Sequence, residues 1–172
     1  MPKPSQRWAD MTALVDAIER GRGPTAAAQT PLTRDPIIAA YLLERSHVDV
    51  DAGRFTRAYQ RWRELLELLD DDPLGRGHHG HALGRLLFTA ARQLSGDARV
   101  LALRRCVDVL AEAGASFELA GDLEAARELA LLAARACDEW RACHAPGSPR
   151  HLRLGHLARA FRNHLEDRTK TR

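Results

Sequence analysis

Three histidines, His78, His79 and His81, stand within four positions of the segment Gly75-Arg-Gly-His-His-Gly-His. Imidazoles at that density offer ligands to zinc, nickel or copper. The glycine content predicts a solvated loop over 74–80, and adjacent histidines in a loop hold no defined geometry. No carboxylate or cysteine lies close behind them to complete a ligand set. Cys137, Cys143 and His144 form a second candidate. Positions 137 and 144 share one helix face at i, i+7, with Cys143 just off it. A closed zinc site needs four ligands, and no second Cys-x2-Cys or His-x3-His completes one. Cys137 continues the apolar stripe from Leu123 to Ala130, which predicts a buried thiol. Cys143 and His144 are the right types for a nucleophile and its base, but neighbours in a helix point about 100° apart. Gly21-Arg22-Gly23 and Gly75-Arg76-Gly77 lack the preceding strand that a phosphate-cradling loop requires. Glu64 with Glu67, and Glu124 with Glu128, sit beside Arg at helical spacing and read as solvated faces. The expectation is a chain without catalytic residues, metal or cofactor.

The remaining chemistry is charge. Residues 143–172 hold Arg150, Arg153, Arg159, Arg162, Arg168, Lys170 and Arg172 against Glu166 and Asp167, a net +5, whereas residues 1–142 carry −2. A helix opening at Ser148-Pro149 turns Leu154, Leu157, Phe161 and Leu165 inward and Arg153, Arg159 and Arg162 to one outer side. The basic surface Arg150, Arg153, Arg159 and Arg162 suits phosphates or an acidic partner. No aromatic interleaving or DNA-binding motif accompanies it. Its first reading is a basic cap that solvates the end of a helical stack.

The elements that must position these residues are helical. The chain has 172 residues, one domain by size. It holds 29 Ala and 25 Leu against 6 Val and 3 Ile, so helix formers swamp the β-branched residues. Seven helices follow from apolar spacing and caps. The first runs from Ser5 to Gly21, and Asp35-Pro36 opens the second. The others centre on Phe55–Leu69, Leu83–Leu94, Leu103–Phe117, Leu123–Trp140 and Leu154–Leu165. Residues 1–33 make an N-terminal helix and Gly/Pro linker, 34–145 helical hairpins, and 146–172 the basic capping helix and tail. A net charge of +3 is too mild for a dedicated nucleic-acid binder. The start of the chain has no apolar signal region, no stretch reaches a membrane span, and three cysteines argue against a disulfide framework. A cytoplasmic setting is expected.

Internal similarity appears at a distance of 68 residues. Residues 110–133 read Leu110-x2-Ala113-Gly114-x2-Phe117, then Gly121-Asp122-Leu123, then Ala126-x3-Ala130-x2-Ala133. Residues 42–65 repeat the plan with Leu42, Ser46, Gly53, Phe55 and Ala58-x3-Trp62-x2-Leu65, although Arg45 and Asp49 stand at apolar places. Both stretches resemble the tetratricopeptide repeat, a helix–turn–helix with small residues where its helices cross. The resemblance covers 39–72 and 107–140. It implies an all-α fold, a right-handed solenoid or irregular helical bundle, with a close crossing at Gly114 and Ala126. A third copy between the two is degenerate or spanned by one long helix, because Arg92 and Gly96 stand at its key places. The resemblance further implies a ligand on the first helix of each unit, at Ala40, Leu43, His47 and Val50 and at Asp108, Ala111, Ala115 and Glu118. The Lys and Asn of a carboxylate clamp are missing there. The expected function is therefore a non-enzymatic adaptor or scaffold that binds a protein or peptide, with self-association open. A nucleic-acid-associated regulator using the basic helix is the alternative, and a metal protein or enzyme the third reading.

Overall fold

The computed structural model describes residues 36–163, and every regular element among them is an α-helix. The helices are α1 (Pro36–Asp51), α2 (Phe55–Leu68), α3 (Pro73–Arg92), α4 (Gly96–Ala120), α5 (Leu123–Ala142) and α6 (Pro149–Asn163). They answer to six of the seven expected from sequence. The helix expected over 5–21, its linker and the tail with Leu165 lie outside the described residues.

Local chemistry explains the boundaries. The Asp72 carboxylate accepts from the Gly75 amide at 2.8 Å and caps α3, with Pro73 at its first position. Asp122 caps α5 by accepting from the Ala125 amide at 3.0 Å, and the Ser148 hydroxyl accepts from the His151 amide at 3.2 Å in α6. The turns α1–α2 and α4–α5 are built alike. Gly53 (φ 72°) donates to the Val50 carbonyl and Arg54 to the Asp49 carbonyl; Gly121 (φ 80°) donates to Glu118 and Asp122 to Phe117. Each is a left-handed glycine closing a helix by the paired backbone bonds of a Schellman motif. The 68-residue spacing thus joins two hairpins with the same turn chemistry, and α3 stands between them.

Trp62, Leu65, Leu83, Leu87, Leu103, Leu110, Phe117 and Leu129 form the centre of the core. Its most extensive packing is α3 on α4, and glycines make it possible. The loop expected over 74–80 is the first two turns of α3. Its glycines are there for contact rather than for turning. A Cβ at Gly77 would come within 2.8 Å of the Phe117 ring, at Gly80 within 2.5 Å of Ala113 Cβ, and at Gly84 within 2.4 Å of Leu110 Cδ2. These three positions lie on one stripe at i, i+3, i+7. The close crossing expected at Gly114 is absent, since a Cβ there would meet only Leu129 Cβ, at 3.9 Å. Ala126, by contrast, is buried as expected.

Candidate functional site

The first helix of the first hairpin borders a groove. Ala39, Ala40, Leu43, Glu44 and His47 of α1 face Leu69 at the end of α2, and Asp72 and His79 at the start of α3. The volume of this open groove is about 530 Å³. Leu43, His47 and Ala40 thus stand together in a concavity, while Val50, assigned to the same surface, is 2% exposed and belongs to the core. The His47 Nε2 is enclosed and has no hydrogen-bond partner among the described residues. Burial lowers the His79 pKa, with His78 adding to the effect and the Asp72 charge opposing it, so its neutral ring is favoured. The groove has an apolar floor and carboxylates at its rim.

The second set of expected positions lies elsewhere. Asp108, Ala111, Ala115 and Glu118 follow one stripe of α4, half-buried or exposed, and are not among the residues that line this groove. Asp108 accepts from Arg105 at 3.2 Å, and the Arg105 guanidinium lies 4.7 Å above the Tyr59 ring. Tyr59 donates to Glu112, which also takes both bonds of Arg63 at 3.0 Å. Burial, together with the Glu112 and Asp108 charges, raises the Tyr59 pKa. This polar network ties α2 to α4 and holds the tyrosine protonated, which suits a structural role.

A buried carboxylate stands where the repeat pattern has an apolar residue. Asp49, 1% exposed, accepts from Arg61 Nε at 2.7 Å and from Arg54 Nε at 2.8 Å. Burial acts to raise its pKa, but the hydrogen bonds and charges of Arg61 and Arg54 outweigh it, and the pKa is lowered. The cluster fastens the α1–α2 turn.

On α6, Leu154, Gly155 and Ala158 are buried, and Phe161 is half-buried against the core. Leu157, expected inward, is 38% exposed, because 151, 154, 158 and 161 form the inward stripe. Arg150, Arg153, Arg159 and Arg162 are all exposed. The expectation that Arg153, Arg159 and Arg162 share one side fails on geometry, since nine residues carry Arg162 about 180° around the helix from Arg153. Arg162 instead pairs with Asp138 of α5.

The three loop histidines diverge once α3 is helical. His78 sets its ring edge-on to Phe117 at 5.1 Å, His79 turns to the groove, and His81 Nε2 lies 3.8 Å from Glu128 of α5. Among the described residues no group of three His, Cys, Asp or Glu is placed to hold a metal ion. The i, i+7 relation of Cys137 to His144 also dissolves, because α5 ends at Ala142 and His144 lies beyond its cap. Cys137 is buried as expected, and its pKa is pushed up to about 12, first by burial. Burial raises Cys106 as well, and its thiol donates to the Gly84 carbonyl. Cys143 is exposed. Native protein is therefore expected to titrate one rapid thiol with a disulfide reagent and all three after denaturation. Rapid reaction of a second native thiol would contradict the buried assignments.

Glu64, Glu67, Glu124 and Glu128 are exposed, as read from sequence. No described helix is long and apolar enough to cross a membrane. No family model matches the chain, and no curated protein or solved structure matches it.

Proposed function

We propose that this chain is a non-enzymatic interaction module of tetratricopeptide-like plan that takes a peptide segment of another protein in the α1–α3 groove. The observation that carries this reading is the gathering of Leu43, His47, Leu69 and His79 around one concavity of about 530 Å³. The shared turn at Gly53 and Gly121 supports the repeat-like plan. Ala39, Ala40, Leu43 and Leu69 offer an apolar floor, and Glu44 and Asp72 add negative charge. The segment that fits is short, with one large apolar side chain flanked by Lys or Arg. Hydrophobic burial supplies its affinity, and the carboxylates fix its direction. A soluble adaptor or regulatory subunit working in the cytoplasm is the setting that matches this reading.

The test is selection of peptides from a random display library on the full chain, followed by binding to Leu43→Arg. Arg at 43 fills the floor and repels a basic ligand, so selected peptides are expected to weaken by at least about tenfold, near 1.4 kcal/mol. Unchanged melting temperature in the variant shows that the fold survives. Equal affinity for wild type and Leu43→Arg would overturn the groove as the binding site.

A further inference from the structure

The arginines of α6 follow a rule that their total charge conceals. Counting in threes gives Arg150, Arg153, His156, Arg159 and Arg162, five basic side chains without a break, and all five are exposed. No acidic residue occurs in α6. In an α-helix three residues rotate the chain to about 60° short of a full turn, so the row winds through about 240° while rising about 18 Å. The row therefore crosses the whole solvent side of α6 diagonally. His156 stands at the crest, Arg153 and Arg159 about 60° to either side, and Arg150 and Arg162 at the rims. The opposite side, with Leu154, Gly155 and Ala158, is closed against α5. Arg162 is partly neutralised by Asp138, and Arg159 leans on His156 Nδ1 at 3.2 Å. Arg150 and Arg153 make no ion pair among the described residues. Arg150, Arg153 and Arg159 thus hold like charges on one helix surface, which is unfavourable without a counter-charge.

We propose that the outer side of α6 binds double-stranded DNA through its phosphodiester backbone. The major groove is about 12 Å wide and admits one helix. A helix entering it with His156 at the crest would aim Arg150 and Arg153 at one strand and Arg159 and Arg162 at the other. A straight stripe would reach one wall only; the diagonal row serves both. An acidic protein offers carboxylates at irregular spacing, whereas the duplex repeats a phosphate along each strand and rewards a regular row. Insertion into a lipid surface requires a continuous apolar face; Leu154, Gly155 and Ala158 are closed against α5, and the outer side offers only Leu152 and Leu157 interspersed among the basic residues. The affinity is carried by phosphate contacts and so depends steeply on salt and weakly on sequence. Packing on α5 and binding on the outer side use different faces of one helix, so both roles coexist.

The experiment is fluorescence anisotropy of a short labelled DNA duplex titrated with the full chain over a series of salt concentrations. The expected result is a micromolar dissociation constant that weakens on a log–log salt plot. In Arg150/Arg153/Arg159→Gln the slope becomes shallower by about 2.7 units, at 0.9 for each lost phosphate contact. Arg153→Glu alone is expected to weaken binding at least as much as Arg153→Gln. These side chains are exposed, so circular dichroism and melting temperature remain those of wild type. Absence of duplex binding at every salt concentration would overturn the proposal, as would an unchanged slope in the triple variant. Binding of poly-L-glutamate at matched charge as tight as the duplex, or tighter binding to phosphatidylserine vesicles, would overturn it in favour of those partners.

Discussion

Gly80→Leu is expected to lower the melting temperature by about 10 °C, while Gly114→Ala leaves it unchanged or raises it. Both glycines sit inside long helices, where Gly is less favourable than Ala by about 1 kcal/mol. Their surroundings separate them. The Cβ that Gly80 lacks would overlap Ala113 Cβ at 2.5 Å and press on the Trp62 ring at 3.2 Å. Ala113 and Trp62 are fully buried, and the end of a short side chain on rigid backbone cannot swing aside. Leucine there forces α3 away from α4, an overpacking cost of about 3 kcal/mol. For a chain of this size that is about 10 °C. At Gly114 the nearest atom would be 3.9 Å away, so alanine brings helix propensity with no clash. A double change, Gly80→Ala with Ala113→Gly, should restore part of what Gly80→Ala alone loses, because the two Cβ atoms compete for one space. Equal melting temperatures for Gly80→Leu and Gly114→Ala would refute the close α3–α4 crossing.

The same residues show what the sequence can and cannot tell. The helical class was legible from the excess of Ala and Leu, and the two hairpin turns from Gly53 and Gly121, because a left-handed glycine is a local requirement. The helix boundaries at Asp35-Pro36, Gly53, Gly121 and Ser148-Pro149 follow from caps, glycines and prolines within a few residues. The first half of α3 departs from the expectation that a Gly cluster marks a loop, because Gly77, Gly80 and Gly84 serve close packing on α4. A competing local signal was present: Asp72-Pro73 has the same cap-and-proline form as Asp35-Pro36, which opens α1. A helix opened at that cap carries His78, His79 and His81 on three sides, with His79 toward the groove. The identity of the tight crossing was not legible in the same way. Gly77, Gly80 and Gly84 have clashing partners 26 to 40 positions away, in α4, and nothing local distinguishes them from Gly114. The groove was half legible. Leu43 and His47 come from the pattern of α1, whereas Leu69, Asp72 and His79 arrive through the chain reversal between α2 and α3.

Asp49→Ala is expected to destabilise the α1–α2 hairpin by about 3–5 kcal/mol. Its side chain is 1% exposed and that of Arg61 is 6% exposed, so deletion takes away the carboxylate that a buried guanidinium donates to at 2.7 Å. The partner on the rim matters less. Arg54 is 47% exposed, and Arg54→Ala should cost no more than about 1 kcal/mol. A buried pair is costly to break yet replaceable as a unit, so Asp49→Leu combined with Arg61→Leu should recover much of the loss. The pH dependence follows from the direction of the Asp49 shift. Its pKa in the folded chain lies below the ordinary aspartate value that the unfolded chain keeps, so the folded state prefers the carboxylate more strongly than the unfolded chain does. The pair's contribution is complete above that value, declines as pH falls through the lowered folded pKa, and is gone below both. Chemical denaturation of wild type should therefore show a loss of stability in acid that is smaller in Asp49→Asn, which is already destabilised at neutral pH. Parallel stability curves for wild type and Asp49→Asn from pH 7 down to acid unfolding would show that the Asp49 carboxylate carries no such linkage, and that the buried arginine is held by its other contacts.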